Sequence, residues 1–169
     1  MRKEKQQRWN PPPRAVFKVN VDAATNSQQK KVGLAAVITN SKGKIIVAGI
    51  NQSHLKEDIS IAEAETVEWG LQVARKLTLP CLIIESDYKE VVELVNNTKD
   101  SRTSIDWIIS KIQYPFRDLH SVNVKFVPRG CNAHAHSLAK FALEKDSSAA
   151  REIFFSIDIQ FVLDNVVLV

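Results

Sequence analysis

The sequence predicts an α/β fold: a mixed sheet of five strands flanked by helices. Three β-type segments come first, at about residues 15–23, 31–40 and 44–53, and helical patterns then alternate with two further β-type segments. Strands joined by short turns pair antiparallel, whereas strands separated by a helix pair in parallel. We therefore expect three antiparallel strands followed by two parallel strands.

The first β-type segment, FKVNVDAA, ends near an acid. Side chains along a strand alternate between its two faces. One face therefore carries Phe17, Val19 and Val21, and the other carries Lys18, Asn20 and Asp22. Two alternatives follow: the acidic face meets solvent, or Asp22 belongs to a site that distant residues complete.

The remaining elements follow from turns, helical spacing and apolar runs. The turn NSKGK joins the second and third strands as a tight hairpin. The later elements, in approximate bounds, are helices at residues 60–77, 88–97, 103–114 and 132–145 and strands at residues 81–85 and 119–127. The tail after Arg151 carries both strand and helix signals and stays unassigned.

Composition and charge predict one domain, residues 15–169, after a basic, proline-rich lead-in at residues 1–14. The chain has 169 residues, of which 44% are hydrophobic and 25% charged, so it can bury one sizeable core. The lead-in accounts for the whole net charge of +4. It is either a solvated tail or a weak anchor for phosphates. Because the rest of the chain is neutral, any contact with nucleic acid must be local.

The sequence indicates an intracellular protein, either nuclear or cytoplasmic. No apolar run of about 18 residues predicts a membrane span, and the N-terminus lacks the apolar core of a signal peptide. Cys81 and Cys131 form no disulfide framework, and we expect both to be reduced. We also expect a monomer that needs no small-molecule cofactor.

A second acid, Glu63, lies on the inward face of the first predicted helix. It shares helical spacing with Val67 and Gly70, whereas Glu65 and Glu68 fall on the opposite, solvated side. Burying a glutamate costs several kcal/mol unless a cation or a strong donor lies nearby. Glu63 therefore needs either a salt bridge to Lys or Arg, or a metal ion.

A third acid, Asp87, follows the buried strand and precedes the helix YKEVVELV. Together with Glu90 it forms a capping-box pattern, so helix initiation alone could account for it. With Asp22 and Glu63, however, it forms a set of three acids from separate segments. Three close carboxylates repel one another unless divalent cations lie between them, and oxygen ligands suit Mg²⁺ or Mn²⁺. Two such ions can promote phosphodiester hydrolysis.

Five motifs in order resemble a known family. They are W-x-PPP leading to FKVNVDAA, VGLAAVITNSKGKII, IAEAETVEWGLQVA, LIIESDYKEVV and FVPRGCNAHAHSLAKFA, within residues 9–145. Together they resemble the ribonuclease H superfamily, specifically the plant-type ribonuclease H-like domain also found in retrotransposon polyproteins. The resemblance implies a five-stranded mixed sheet. It also implies endonucleolytic cleavage of the RNA strand of RNA–DNA hybrids with two Mg²⁺ or Mn²⁺ ions.

The resemblance also implies the site residues. The catalytic, metal-binding acids are Asp22, Glu63 and Asp87, and His136 stands where the wider superfamily has a fourth acid. Plant-type members commonly carry histidine there. Because imidazole is a poorer ligand for Mg²⁺ than for Mn²⁺, we predict that Mn²⁺ supports activity relatively better.

Three further residues are predicted to contact nucleic acid. Ala23 stands where the family usually has glycine, and its Cβ would hold a nucleic-acid backbone farther away. Arg129 either contacts phosphate or pairs with an acid, and Asn132 is also a plausible helix cap. No counterpart of the family's basic protrusion is visible, so we expect weak affinity for hybrids. The alternatives are a low-activity or non-catalytic binding domain and, less favoured, a metal-dependent exonuclease.

Overall fold

The structure, a computed structural model, describes residues 8–99, 104–146 and 151–155. Its strands are β1 (Phe17–Asn26), β2 (Lys31–Thr39), β3 (Ile45–His54), β4 (Cys81–Ser86), β5 (Ser121–Phe126) and β6 (Glu152–Phe155). Its α-helices are α1 (Ile59–Lys76), α2 (Lys89–Val95), α3 (Asp106–Gln113) and α4 (Ala133–Glu144). Two short 3-10 helices, Tyr114–Asp118 and Arg129–Cys131, precede β5 and α4. Within the described residues, no helix is both long enough and apolar enough to cross a membrane.

The strands form one mixed sheet in the order β5-β4-β1-β2-β3-β6. β1 pairs in parallel with β4, and β4 with β5, whereas β1, β2, β3 and β6 are joined by antiparallel pairings. The predicted α/β class and the arrangement of the first five strands are confirmed, but the expected number of five strands is wrong. The sixth strand comes from the tail after Arg151, which pairs with the outer edge of β3. Four residues carry too little pattern to predict a strand, because the edge of β3 decides their conformation.

The two faces of the sheet have different cores. α1, α2 and α3 cover one face with large aliphatic side chains, and α4 covers the other with mostly small ones. α4 lies so close to β2 that a Cβ on Gly33 would collide with the helix backbone at Ala139 and Leu143. The face of the sheet that α4 covers is the one that carries the polar side chains of β1.

The alternation of β1 follows the prediction, but its acidic face does not meet solvent. Val19 and Val21 enter the core beneath α1, while Lys18, Asn20 and Asp22 lie on the side of α4. These three polar residues are only 6%, 6% and 1% exposed. The solvated alternative for Asp22 is therefore wrong, and its carboxylate lies in the interior.

Candidate active site

Three carboxylates converge at the end of the parallel part of the sheet. The sequence suggested that Asp22 lies at the end of the first strand. Strand β1 instead continues to Asn26, so Asp22 lies within it. The last parallel pair with β4 is nevertheless Val21 with Ser86, so Asp22 and Asp87 lie side by side just beyond it. One oxygen each from Asp22, Glu63 and Asp87 lies within 4.8 Å of the others. The structure thus brings together the three acids that the sequence singled out.

Glu63 reaches this cluster from the second turn of α1. The helix begins at Ile59, after Asp58 has accepted a hydrogen bond from the backbone N–H of Ser60 at 3.0 Å. Glu63 is 9% exposed, and its Oε2 has no hydrogen-bond partner. Among the described residues it forms no ion pair, so the salt-bridge alternative for Glu63 is wrong. A buried carboxylate oxygen without a partner is costly, which indicates that a group from outside the chain completes it.

The crowding of these carboxylates shifts their proton affinities. Burial, together with the negative charges of Asp22 and Asp87, raises the pKa of Glu63 to about 8, although the nearby Arg129 opposes this. Burial and the charge of Asp87 raise the pKa of Asp22 to about 6, against the opposing hydrogen bond from His136. At pH 7 the metal-free protein therefore keeps a proton on Glu63.

Asp87 is available to the cluster because it does not cap α2. That helix begins at Lys89 with Tyr88 in the N-cap position and no capping side chain, so the predicted cap is wrong. Instead Asp87 Oδ2 lies 3.4 Å from Nε of Arg129, whose side chain is 72% exposed. The Asp87 side chain is only 10% exposed, but water around the guanidinium screens this ion pair and weakens it. Arg129 can therefore leave Asp87 when a cation or a phosphate arrives.

His136 contacts the cluster directly, from α4. Its Nδ1 lies 2.7 Å from Oδ2 of Asp22. Ala23, the next residue of β1, is half-buried and packs toward the core. His136 on α4 and Ala23 on β1, both assigned from the sequence, are thus neighbours of Asp22.

Asn132 is placed differently from its prediction. It occupies the N-cap position of α4 but makes no capping bond. Its Nδ2 donates to the carbonyl oxygen of Val21 at 2.8 Å, and its Oδ1 accepts from Asn20 at 3.1 Å. With 1% exposure it presents almost no surface to a nucleic acid, so this placement does not favour the predicted contact.

Sequence reasoning missed the polar residues beneath the cluster. Glu85 is buried, forms an ion pair with Lys18 at 2.8 Å and accepts a hydrogen bond from Asn20 at 2.9 Å. The available signal was the parallel register, which sets Asn20 opposite Glu85. Register between strands that are distant in sequence is not visible in either strand alone.

Comparison with known proteins identifies the family. The sequence model of the family described as reverse transcriptase-like matches residues 20–142, a range that contains the three acids and His136. This chain belongs to the reverse transcriptase-like family. The predicted membership of the ribonuclease H superfamily is thereby confirmed, while the plant-type branch stays a prediction. No curated protein is significantly similar to this reverse transcriptase-like domain in sequence.

Solved structures share the fold of this reverse transcriptase-like domain at low sequence identity. RNase H1 from the archaeon Halobacterium salinarum is 17% identical with a TM-score of 0.71, over 76% of this chain and 98% of that one. The N-terminal RNase H domain of Rv2228c from Mycobacterium tuberculosis is 21% identical with a TM-score of 0.68, over 80% and 95%. LC11-RNase H1 in complex with an RNA/DNA hybrid is 18% identical with a TM-score of 0.65, over 76% and 96%.

Proposed function

We propose that this domain is a divalent-metal-dependent endonuclease that cleaves the RNA strand of RNA–DNA hybrids. The observation that carries the proposal is the convergence of Asp22, Glu63 and Asp87 within 4.8 Å. The reverse transcriptase-like family and the fold shared with RNase H1 proteins support the reaction class. The hybrid in the LC11-RNase H1 complex supports the substrate class.

The residues of the cluster fit two ions of Mg²⁺ or Mn²⁺. All three side chains offer carboxylate oxygens, which these hard cations prefer. The unpartnered Oε2 of Glu63 is a ligand atom that an added cation would satisfy once the carboxyl releases its proton. When bound, the ions would activate the attacking water and neutralise the leaving oxygen of the phosphodiester.

The protein's own residues would prepare this site. His136 holds Asp22 through the 2.7 Å contact and so restrains one carboxylate. Arg129, exposed beside Asp87, would contact a backbone phosphate of the substrate. Recognition would rest on phosphate and 2′-hydroxyl contacts, because the grooves of an A-like hybrid carry little readable sequence information. We therefore expect cleavage with little sequence preference, by a monomer without a small-molecule cofactor.

A low-activity or non-catalytic hybrid-binding domain is the second candidate. Two features of the sequence favour it: the Cβ of Ala23 beside Asp22, and the lack of a counterpart of the family's basic protrusion. Neither feature removes a carboxylate from the cluster. The first candidate therefore accounts better for the convergence of three acids at one point, two of them buried.

A labelled RNA–DNA hybrid separates the two candidates. The purified protein is incubated with the hybrid and either Mg²⁺ or Mn²⁺, beside Asp22→Asn and the matched variant Glu65→Gln. Glu65 lies on the same helix as Glu63 but pairs with Lys56 on the other side. The proposal requires internal RNA cuts that Asp22→Asn abolishes and Glu65→Gln retains, with Mn²⁺ relatively more effective than Mg²⁺. Binding without cuts would establish the second candidate, and shortening from one end would indicate an exonuclease.

A further inference from the structure

A connected set of buried polar side chains lies beneath the acid cluster. We call it the amide network; its members are Lys18, Asn20, Glu85 and Asn132, all at most 6% exposed. Nδ2 of Asn20 donates to Oε2 of Glu85 at 2.9 Å and to Oδ1 of Asn132 at 3.1 Å. Buried polar groups lower stability unless each finds a partner, so such a network permits few alternative arrangements.

The chemistry of the network fixes the orientation of the Asn20 amide. The carboxylate of Glu85 can only accept hydrogen bonds, so it requires the NH₂ side of the amide. On the other side, the indole N–H of Trp9 donates to Oδ1 of Asn20 at 3.2 Å. The ring of Trp9 also covers the ammonium of Lys18, 4.9 Å from its centroid. Asn20 thus has a donor and an acceptor role that aspartate could not fill.

Asn132 connects this network to the strand that carries Asp22. Its Nδ2 donates at 2.8 Å to the carbonyl oxygen of Val21, the residue immediately before Asp22. His136 follows Asn132 by about one helical turn, so both lie on the same side of α4. Its Nδ1 lies 2.7 Å from Asp22. Successive turns of α4 therefore contact successive residues of β1.

Apolar packing between α4 and the sheet relies mainly on small side chains. Among the described residues, the buried cluster on this face contains five alanines, Ala35, Ala48, Ala135, Ala139 and Ala142, and three larger side chains, Val37, Ile50 and Leu138. Small side chains interlock weakly, and buried polar pairs are a well-attested way to specify register. The amide network thus adds directional contacts that help to distinguish one placement of α4 from a neighbouring one.

We propose that Asn132, held by Asn20, is a positioning residue for the candidate metal centre. It fixes α4 against β1 so that His136 meets Asp22. The consequence for metal binding rests on the proposed function, whereas the placement of His136 does not. Position 132 requires an amide because it must accept from Asn20 and donate to Val21 at the same time.

The other end of α4 offers a matched control. Nε2 of Gln52, on β3, donates at 2.7 Å to the carbonyl oxygens of both Ala142 and Lys145. Gln52 therefore ties α4 to the sheet with the same chemical group as Asn132. Its contacts lie about 9 Å or more along the helix from His136, given the 1.5 Å rise per residue.

The test compares Asn132→Ala, Asn132→Ser and Gln52→Ala in the full chain. Serine can cap a helix N-terminus but is too short to reach Val21, so this variant should fold even if the alanine variant does not. The first readout is the NMR signal of the hydrogen-bonded His136 Nδ1 in the metal-free protein. The second is Mn²⁺ affinity by calorimetry. We expect both Asn132 variants to lose the His136 signal and to bind Mn²⁺ about 10–100-fold more weakly, as for residues that orient metal ligands. Gln52→Ala should lower thermal stability and leave both readouts unchanged.

The opposite results would overturn the proposal. They are a His136 signal and Mn²⁺ affinity that survive both Asn132 substitutions, equal losses in Gln52→Ala, or no hydrogen-bonded His136 signal in the unaltered protein. An unaltered protein that binds no Mn²⁺ or cuts no hybrid would refute the proposed function instead. In that case the His136 signal of the metal-free variants would still decide the positioning role.

Discussion

Glu85 and Glu63 are buried to a similar degree, with 6% and 9% exposure, yet their surroundings are opposite. Glu85 has the ammonium of Lys18 at 2.8 Å and an amide donor from Asn20 at 2.9 Å. Glu63 has an unpartnered oxygen and faces two more acids. A buried carboxylate needs a compensating charge or donors. The chain supplies them for Glu85 and leaves Oε2 of Glu63 without them.

The position of each acid in the sheet accounts for this difference. Glu85 lies within the parallel ladder, opposite Asn20, where strand pairing brings fixed partners to it. Asp22 and Asp87 lie just beyond the last parallel pair, and α1 brings Glu63 to them. Open α/β sheets bind ligands beyond the carboxyl ends of their strands. Along the sheet, the structural acid Glu85 and the acid Asp87 of the candidate site are therefore only two residues apart.

The largest expected effect is on cleavage. Glu63→Gln should reduce the cleavage rate of a hybrid by more than about 100-fold, because loss of a direct ligand exceeds the effect of losing a residue that only orients one. Rates measured under single-turnover conditions with Mn²⁺ provide the check. Glu65→Gln should stay near the unaltered rate. Equal rates for the two variants would contradict the difference between Glu63, which faces the acid cluster, and Glu65, which pairs with Lys56.

The next effect is on stability and concerns Glu85. Glu85→Gln removes the counter-ion of a buried ammonium and should lower the free energy of unfolding by roughly 3–5 kcal/mol. Urea denaturation in the absence of metal measures it. Glu63→Gln should not lower metal-free stability, because it removes a group that the fold leaves unsatisfied. A larger loss of unfolding free energy for Glu63→Gln than for Glu85→Gln would contradict the distinction between the two acids.

A pH effect sharpens the same comparison. The pKa of Glu63 is raised from 4.5 to about 8, so the folded metal-free protein holds a proton that the unfolded chain releases. Its contribution to stability is complete below pH 4.5 and is lost as the pH rises to about 8. Between those values the free energy of unfolding should fall by on the order of 2–4 kcal/mol. Thermal unfolding with a chelator present, compared with Glu63→Gln, provides the test. If the stability of Glu63→Gln declined equally with pH, groups other than Glu63 would be responsible for the decline.

The smallest effect concerns Arg129. Its exposed pair with Asp87 should contribute less than about 1 kcal/mol to stability, so Arg129→Ala should unfold almost as the unaltered protein does. If Arg129 contacts phosphate, the variant should bind hybrids more weakly and the salt dependence of binding should decrease by about one unit. Binding titrations at several salt concentrations measure this. An unchanged salt dependence would exclude the contact.

The acids of the cluster could be predicted because local patterns report burial. Alternation placed Asp22 on a defined face of β1, and helical spacing placed Glu63 on the inward face of α1. The family resemblance then supplied His136, which lies against Asp22. In these cases the local pattern and the tertiary structure agree.

The sequence-based predictions fail where residues distant in sequence determine a conformation or a side-chain contact. Strand β6 forms because the edge of β3 is available to four residues of the tail. Asn132 carries the local signal of a helix cap, yet Val21 and Asn20 bind its side chain instead. The contacts of Glu85 could be predicted only from the register between β1 and β4. None of these partners can be identified from the neighbouring residues in the sequence.

Proton release on Mg²⁺ binding tests most directly whether a cation completes the acid cluster. Because Glu63 has a pKa of about 8 without metal, Mg²⁺ must displace its proton at pH 7. Calorimetry in two buffers of different ionisation enthalpy should show about one proton released per protein at pH 7, and a value near zero at pH 9. Absence of Mg²⁺ binding, or binding at pH 7 without proton release, would contradict the account.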